Sequence, residues 1–183
     1  MYKRQTTYTA DGEGLELSGG QFSLELDGTT LSKSASGLKV NSITTTEISD
    51  GTITDSDISS SADIRISAIE IIIGDGTNAI STGVAGDIEV PFNCTILQAT
   101  ALADQTGSIQ VDIWKDTYAN FPPDDADSIT ASAPITISSS NKSQDSTLSG
   151  WTTTINAGDI LRFNVDSAST ITRCTISLKV RKE

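Results

Sequence analysis

The chain has 183 residues, of which 24 are acidic, 12 are basic and none is histidine, and its formal net charge is −12. This acidic excess argues against a nucleic-acid partner or an anionic membrane, because both bind basic surfaces. Without histidine, zinc sites of the usual Cys/His kind and Ser-His or Cys-His catalytic arrangements are excluded.

Ser, Thr and Ile dominate the composition, with 25, 25 and 22 residues, and 14 Gly are available for turns. Because β-branched side chains favour strands, an all-β fold is predicted. No apolar run approaches the roughly 20 residues that span a bilayer, so no membrane insertion is expected. The opening MYKRQ is basic, unlike the sequence after it, and residues 1–10 are predicted to be a disordered or non-native start.

Residues 11–40 carry short bursts of alternating apolar residues. Leu15 and Leu17 are separated from Phe22 and Leu24 by Gly-Gly, and Asp-Gly and Ser-Gly follow further along. Alternation with a period of two, combined with tight turns, predicts a β-meander of short strands. So few short strands are marginal in water by themselves, which favours a stem over a complete core.

Residues 41–73 contain isoleucine at positions 43, 48, 53 and 58, five residues apart, among Ser, Thr, Asp and Gly. In a strand such side chains alternate faces, and on a helix they lie about 140° apart, so the spacing suits neither element. A pentapeptide solenoid uses this spacing, but one coil cannot bury itself. The surface that buries Ile48, Ile53 and Ile58 is therefore expected to come from other chains.

The spacing changes beyond Ile58, where apolar residues follow one another at intervals of four, three and four: Ala62, Ile66, Ile69 and Ile73. This heptad-like seam predicts one short helix near residues 59–70. Isoleucine at the core positions of such a seam favours trimers and higher oligomers. Two turns of helix do not stand alone in water.

From about Gly74 the sequence predicts a distal domain, residues 74–183. Alternating segments such as GSIQVDIWKDTY, DILRFNVDSA and TITRCTISLKV are separated by loops and by the polar tract SSSNKSQDST. Seven or eight strands over about 110 residues are typical of a β-sandwich or jelly roll. We therefore predict a β-sandwich after the stem.

No catalytic motif is present, since glycine-containing segments such as DGEG lack the Lys-Ser/Thr that completes a phosphate loop. A non-enzymatic protein is expected. Clustered carboxylates in a loop can collect a calcium ion, and two stretches contain them: FPPDDADS, with Asp124, Asp125 and Asp127, and TDSD, with Asp55 and Asp57. Neither matches the twelve-residue calcium loop. Solvated turn residues are therefore favoured, and no metal or other cofactor is expected.

Cys94 and Cys174 are separated by 80 residues, with no CxxC spacing. A disulfide between them is possible if their strands are neighbours. Two small buried thiols, in a protein that folds in a reducing cytoplasm, are the favoured interpretation.

The candidate binding residues are aromatic and acidic side chains of one region: Trp114, Tyr118, Phe121, Asp124 and Asp125. An aromatic surface beside Asp and Asn is a common way to bind sugars. Trp114 comes one step after the alternation that ends at Ile113, which predicts that it lies on the opposite face, exposed or at a subunit contact. For Trp151, packing in a core or an interface is favoured.

Two long parts of the chain resemble a known family. GLELSGGQFSLELDGTTLSKSASGLKVN, followed by EISDGTITDSDISSSADI, is similar to the stem repeats of tail-fibre and receptor-binding proteins of tailed bacteriophages. DIEVPFNCTILQATALADQTGSIQVDIWKDTYANFPPDDADSIT, with the later GWTTTINAGDILRFNVDSAS, looks like the distal domain at the end of such fibres. The resemblance covers nearly the whole chain after about the first nine residues.

This resemblance implies a homotrimer with an elongated, intertwined stem and a β-sandwich tip that contacts the host surface. It implies a virion protein, assembled in the host cytoplasm and acting outside it, with upstream fibre and tail proteins as further partners. The receptor would be a cell-surface glycan or an outer-surface protein, bound by the tip loops. In such a trimer, five isoleucines are candidates for the shared axis: Ile48, Ile53, Ile58, Ile66 and Ile69.

Three alternatives remain open. A self-assembling filament or virion decoration subunit would contact its own kind and form open-ended polymers. A lectin-like carbohydrate-binding module would fold and bind sugar as a monomer of residues 74–183. An enzyme that degrades surface polysaccharide would need a pair of carboxylates in a groove of the tip.

Overall fold

The computed structural model describes the chain in several stretches: residues 15–18, 21–24, 31–34, 37–40, 48, 52–59 and 62–183. The chain divides into two units, Met1–Ile58 and Ser59–Glu183. The second unit therefore begins at Ser59, upstream of the boundary predicted near Gly74. The disordered or non-native start predicted for residues 1–10 lies outside the described residues.

Two β-hairpins provide the described strands of the first unit. Strand β1 (Leu15–Ser18) pairs antiparallel with β2 (Gln21–Leu24), and β3 (Leu31–Ser34) pairs antiparallel with β4 (Gly37–Val40). Two residues join the strands of each pair, which is the length typical of tight hairpins. The short strands predicted in this part of the sequence are confirmed.

The segment with isoleucine at every fifth residue contains a 3-10 helix at Asp55–Asp57. One oxygen of the Asp57 carboxylate accepts hydrogen bonds from the backbone N–H and the hydroxyl of Thr54, both at 2.8 Å. These bonds, the backbone one first, lower the pKa of Asp57. Polar residues of the segment therefore bond to their own turn.

Two of the described isoleucines of this segment, Ile48 and Ile53, are exposed within the single chain. Ile48 and Ile53 are 38% and 56% exposed, respectively, and Ile58 is half-buried. The 3-10 turn that follows Ile53 does not bury it.

The second unit contains one seven-stranded antiparallel sheet. Its strands are β5 (Ile66–Ile73), β6 (Gly83–Val90), β7 (Cys94–Thr117), β8 (Ile135–Asp145), β9 (Thr154–Ile155), β10 (Asp159–Ser169) and β11 (Cys174–Lys182). Among the described residues of this unit, helical structure is confined to three 3-10 turns: Asp63–Arg65, Tyr118–Asn120 and Asp125–Asp127. The predicted all-β class is confirmed.

Strand β7, with 24 residues, connects most of the sheet. Along one edge it pairs with β11 through residues 94–103 and then with β10 through residues 108–117. Its other edge pairs with β8 on both sides of a register break around Gly107. Because β11 continues to β5, and β10 continues to β6, the sheet has a β5/β11 half and a β6/β10 half, joined through β7 and β8.

One hydrophobic core combines buried side chains of both halves. Its largest fully buried side chain is Phe163 of β10, and Ile176 and Leu178 of β11 belong to the same cluster. Strands β5 and β6 are the two ends of the strand order, and they approach each other: a Cβ on Gly86 of β6 would lie 3.1 Å from Cδ1 of Ile71 on β5. The two halves therefore pack together around one core.

The short helix predicted near residues 59–70 is wrong. Among the described residues of that stretch, helical structure is limited to the turn Asp63–Arg65, and strand β5 begins at Ile66. Ile69 and Ile73 are only 7% and 4% exposed and belong to the core. A β-branched run such as ISAIEIII favours a strand. Ile69, a candidate for the trimer axis, is buried by its own chain.

The two cysteines are buried and free. They lie on neighbouring strands, but Cys94 is opposite Lys182 and Cys174 is opposite Ala103. About eight residues of strand, or roughly 26 Å, separate these positions along β11, far beyond the reach of a disulfide. Burial is the main cause that raises the pKa of each thiol to about 11. The favoured interpretation of two buried thiols is confirmed.

Asp104 connects the middle of β7 to the turn between β10 and β11. Its carboxylate accepts hydrogen bonds from the Thr172 hydroxyl and from the backbone N–H groups of Thr172 and Arg173, the latter two at 3.2 and 3.1 Å. These bonds, that of the Thr172 hydroxyl first, lower the pKa of Asp104, because they favour the charged carboxylate.

Phe163→Ala should destabilise the protein strongly, because it leaves a cavity in the core shared by the two halves. We expect a decrease of about 3–5 kcal/mol in the free energy of unfolding, measured by denaturant-induced unfolding followed by circular dichroism. Ser149→Ala, at an exposed position, is the control and should change it by less than about 0.5 kcal/mol. Equal stability of the Phe163 variant and the wild type would contradict a shared core.

Asp104→Asn should make stability less dependent on acid. Because the folded-state pKa of Asp104 is lowered, its contribution is present above the ordinary pKa of 3.8 and is lost as the pH falls through the folded-state value. In the wild type, the melting temperature should fall between about pH 5 and pH 2. The slope of melting temperature against pH should be shallower in Asp104→Asn, and in Thr172→Val it should lie between those of the other two proteins. Identical slopes in all three proteins would refute this role.

Candidate functional site

The candidate binding residues lie at the outer face of the β6/β10 half. Val111 and Ile113 of β7 are fully buried in the core, so Asp112 and Trp114, which alternate with them, point to the opposite face. The connection from β7 to β8, residues 118–134, is named the outer loop. Its beginning contacts Arg162, and its later part pairs with the edge of β7 at Ile113 and Trp114.

Asp112 holds the outer loop against β7. Its side chain is buried, and its carboxylate accepts hydrogen bonds from Trp114 Nε1 at 2.8 Å, the Ser128 hydroxyl at 2.8 Å and the Thr130 hydroxyl. A backbone bridge also joins Trp114 to Ser128. A buried charge is unfavourable unless its acceptor positions are filled. Here donors from both the strand and the loop fill them.

Arg162, on β10, contacts the beginning of the outer loop. Its guanidinium donates to both carboxylate oxygens of Asp87 on β6, at 2.7 and 3.1 Å, and to the carbonyl of Pro123 at 3.3 Å. Its Cζ lies 5.2 Å from the centroid of the Phe121 ring. The bond to Asp87 raises the pKa of Arg162, as expected for a bidentate pair. Arg162 thus positions the Phe121 ring, while Asp87 neutralises the charge of the Arg162 guanidinium.

The three aromatic candidates differ in exposure. Trp114 is half-buried, and its indole donates a hydrogen bond to Asp112. The sequence predicted an exposed ring or a subunit contact, whereas residues of the same chain cover part of this ring. Tyr118 is 78% exposed and Phe121 is 49% exposed. The structure therefore leaves Tyr118 and Phe121 as the accessible rings of the outer loop.

The two acidic candidates also differ. Asp124 caps the 3-10 turn Asp125–Asp127: its Oδ1 accepts from the N–H of Ala126 at 2.9 Å, while Asp127 Oδ2 accepts from the N–H of Asp124 at 3.0 Å. This reciprocal capping box is a structural role. The Asp125 side chain is exposed and makes no hydrogen bond or ion pair within the described part of the chain. Asp125 is therefore available to a ligand.

Carboxylates outnumber cations at this face. The ion pairs among the described residues are Arg162 with Asp87, and Lys115 with Asp159 at 3.1 Å. The remaining acidic side chains at or beside the outer loop are Asp112, Asp116, Asp124, Asp125, Asp127 and Asp166. Burial, and then the charges of Asp112 and Asp125, raise the pKa of Asp166. Neighbouring carboxylates thus make the surroundings of the loop negative.

Metal binding has no support from the described residues. Among them, no group of three or more Asp, Glu, Cys or His is arranged to hold a metal ion. Asp124 and Asp127 accept hydrogen bonds from N–H groups of their own loop instead. The absence of a cofactor stays a prediction from the sequence.

Trp151 has the packing role favoured from the sequence. Its Nε1 donates a hydrogen bond to the carbonyl of Ala133 at 2.8 Å. Its side chain is partly buried and packs against the hydrophobic core. Trp151 therefore packs between the core and the end of the outer loop, and it is not one of the exposed aromatic rings of this loop.

A concavity of about 440 Å³ lies between the end of β5 and the start of β6. Its carboxylate, Asp75, accepts hydrogen bonds from the N–H groups of Thr77 and Asn78 and from Asn78 Nδ2, each at 2.8 Å. These bonds, those from Asn78 and Thr77 N–H first, lower the pKa of Asp75 to about 2. Asp75 is therefore engaged by its own turn, and the outer loop remains the better candidate site.

Comparison with protein-family models and with curated proteins finds no match for this chain. No helix in the part of the chain that the structure describes is long and apolar enough to cross a membrane. Function is therefore inferred from the residues themselves and their geometry.

Three residues that shape this site were not predicted from the sequence: Asp112, Arg162 and Asp87. A signal for Asp112 exists, since a carboxylate between Val111 and Ile113 in an apolar strand requires hydrogen-bond partners. Arg162 and Asp87 are 75 residues apart, so no local pattern joins them.

Asp112→Ala should release the outer loop, because the Trp114 indole and the hydroxyls of Ser128 and Thr130 lose their acceptor. We expect the free energy of unfolding to fall by about 2–4 kcal/mol, with faster proteolysis of the loop. Asp125→Ala, which removes an exposed carboxylate, should change the stability by less than about 0.5 kcal/mol. Unchanged proteolysis of Asp112→Ala would show that this carboxylate does not hold the loop.

Proposed function

We propose that this chain is the distal part of a trimeric bacteriophage tail fibre, with a non-enzymatic adhesive role at the host surface. The resemblance of its stem and distal segments to such fibres supports the proposal, and the all-β fold agrees with it. The observation that carries the proposal is the exposure of isoleucine in an otherwise polar segment, with Ile48 and Ile53 at 38% and 56%.

In a trimer, the same residues of the other two copies would cover these isoleucines, so no further protein is needed to bury them. Full burial of one isoleucine side chain stabilises by about 1.5–3 kcal/mol, and three copies of Ile48, Ile53 and Ile58 would meet near a common axis. Ile66 contributes less to the argument because it is already half-buried in its own chain.

The outer loop is the proposed receptor contact. It is carried by paired strands, where binding loops are commonly found, and it exposes Tyr118 and Phe121 beside carboxylates. A host cell-surface glycan fits this combination, because aromatic rings stack on sugars while polar side chains bond their hydroxyls. Three such loops on one fibre raise the overall affinity without a strong single site. Upstream fibre and tail proteins would complete the assembly.

Light scattering coupled to size-exclusion chromatography should give a discrete mass near three times the 19.2 kDa of the chain. Ile53→Asp should dissociate this trimer, because three carboxylates would be brought together in an apolar contact. The substitution is at a position that is 56% exposed in the single chain, so the folded monomer should survive, as judged by circular dichroism.

Ser149→Asp, which adds the same charge at an exposed position of the second unit, is the matched control and should stay trimeric. A monomeric wild type would refute the proposal and favour a lectin-like module. Open-ended polymers would favour a filament or decoration subunit. An intact Ile53→Asp trimer would exclude the isoleucines from the axis.

A further inference from the structure

We infer that the receptor of the outer loop is a glycan that carries free amino groups. The inference rests on the proposed function, because it names the ligand class of the same surface. That surface, named the outer-loop surface, consists of the Tyr118 and Phe121 rings and the carboxylates of Asp116, Asp124 and Asp125.

Two rings supply the apolar part of the outer-loop surface. Tyr118 and Phe121 are 78% and 49% exposed, and they lie three residues apart in one loop. Arg162 holds the Phe121 ring at 5.2 Å while about half of the side chain stays open. Exposed rings of this kind stack on the C–H face of a pyranose and attract a cation over their π-surface.

The charges beside the rings favour a cationic ligand. The nearby cations Arg162 and Lys115 are already paired with Asp87 and Asp159, whereas Asp125 has no cation partner among the described residues. Burial is the main cause that raises the pKa of Asp166, and the charges of Asp112 and Asp125 add to it, so these three carboxylates are close enough to interact. Carboxylates or phosphates of a ligand would be repelled, while an ammonium group gains from both the acids and the rings.

The small extent of the outer-loop surface favours a sugar over a protein partner. Its residues belong to one loop and the end of the strand before it, whereas a stable protein interface buries about 800 Å² on each partner. Polar groups for sugar hydroxyls are present: the amide of Asn120, at the start of the loop, donates to Oδ1 of Asp116, at the end of β7, at 3.1 Å.

Titration calorimetry of the full chain with three hexasaccharides tests the ligand class. Chitosan hexamer carries free amines, chitin hexamer has the same backbone with acetylated amines, and hexagalacturonate carries carboxylates. The titrations are carried out at about pH 6, above the ordinary pKa range of carboxyl groups. Chitosan hexamer should bind at least about tenfold more tightly than chitin hexamer, hexagalacturonate should not bind, and added salt should weaken chitosan binding.

Three variants locate the binding. Phe121→Ala should weaken chitosan hexamer binding by about tenfold, through loss of stacking and cation–π attraction. Asp125→Asn, which removes one charge with little change of shape, should weaken it by about threefold. Glu70→Gln makes the same change of charge at an exposed position of β5. It should leave the affinity unchanged.

The outcomes separate this inference from the proposed function. Equal or tighter binding of chitin hexamer or hexagalacturonate, weakened by Phe121→Ala, would overturn the amino-group class while leaving the outer loop as a receptor site. Hexalysine is titrated as a fourth probe, a polycation without sugar. If it binds as tightly as chitosan hexamer, the attraction is one of charge without sugar recognition, and the inference is overturned in favour of a protein partner. If no probe binds, the glycan site itself is refuted, and the trimer is judged by light scattering alone.

Discussion

The pairing of strand β7 along both of its edges is the constraint on which the second unit depends. Strands β11 and β10 pair with the same edge of β7 in succession, and between them the register of β7 with β8 breaks around Gly107. Because the two halves share one core, we place a bend of β7 at this break. A Cβ on Gly107 would lie 2.5 Å from the Ser169 carbonyl, so only glycine lets the turn after β10 approach this closely. The bend brings the two halves onto one core and places the outer loop beside one of them.

Local patterns predicted what depends on local interactions, namely the short hairpins and the alternating strands of the second unit. They did not predict the elements that depend on pairing between residues far apart in the sequence. The interval of four between Ile69 and Ile73 fits a helix face and also one face of a strand, and pairing with β11 makes it a strand. The polar tract after Ile137 was not recognised as strand because β8 pairs with β7 while most of these side chains face solvent.

The candidate site could be located from the sequence but not assembled from it. Aromatic and acidic residues follow one another from Tyr118 to Asp125, so the loop itself was identifiable. The cover over Trp114 depends on Asp112 binding Ser128, 16 residues away, and the orientation of Phe121 depends on Arg162, which lies on another strand. Proximity created by the fold therefore determines which of the predicted side chains remain open.

Ile48 and Ile53 differ in chemistry from the exposed rings of Tyr118 and Phe121, and in the proposed fibre this difference would separate assembly from recognition. Ile48 and Ile53 carry no polar atom, so a covering surface stabilises them most when it is equally apolar, as copies of the same residues would be. Tyr118 and Phe121 lie among carboxylates, and an apolar cover would strip water from those charges without replacing it. A ligand with hydroxyl and ammonium groups replaces that water. In the proposed fibre, the isoleucines would therefore suit permanent association, whereas the outer loop would suit a polar ligand that exchanges.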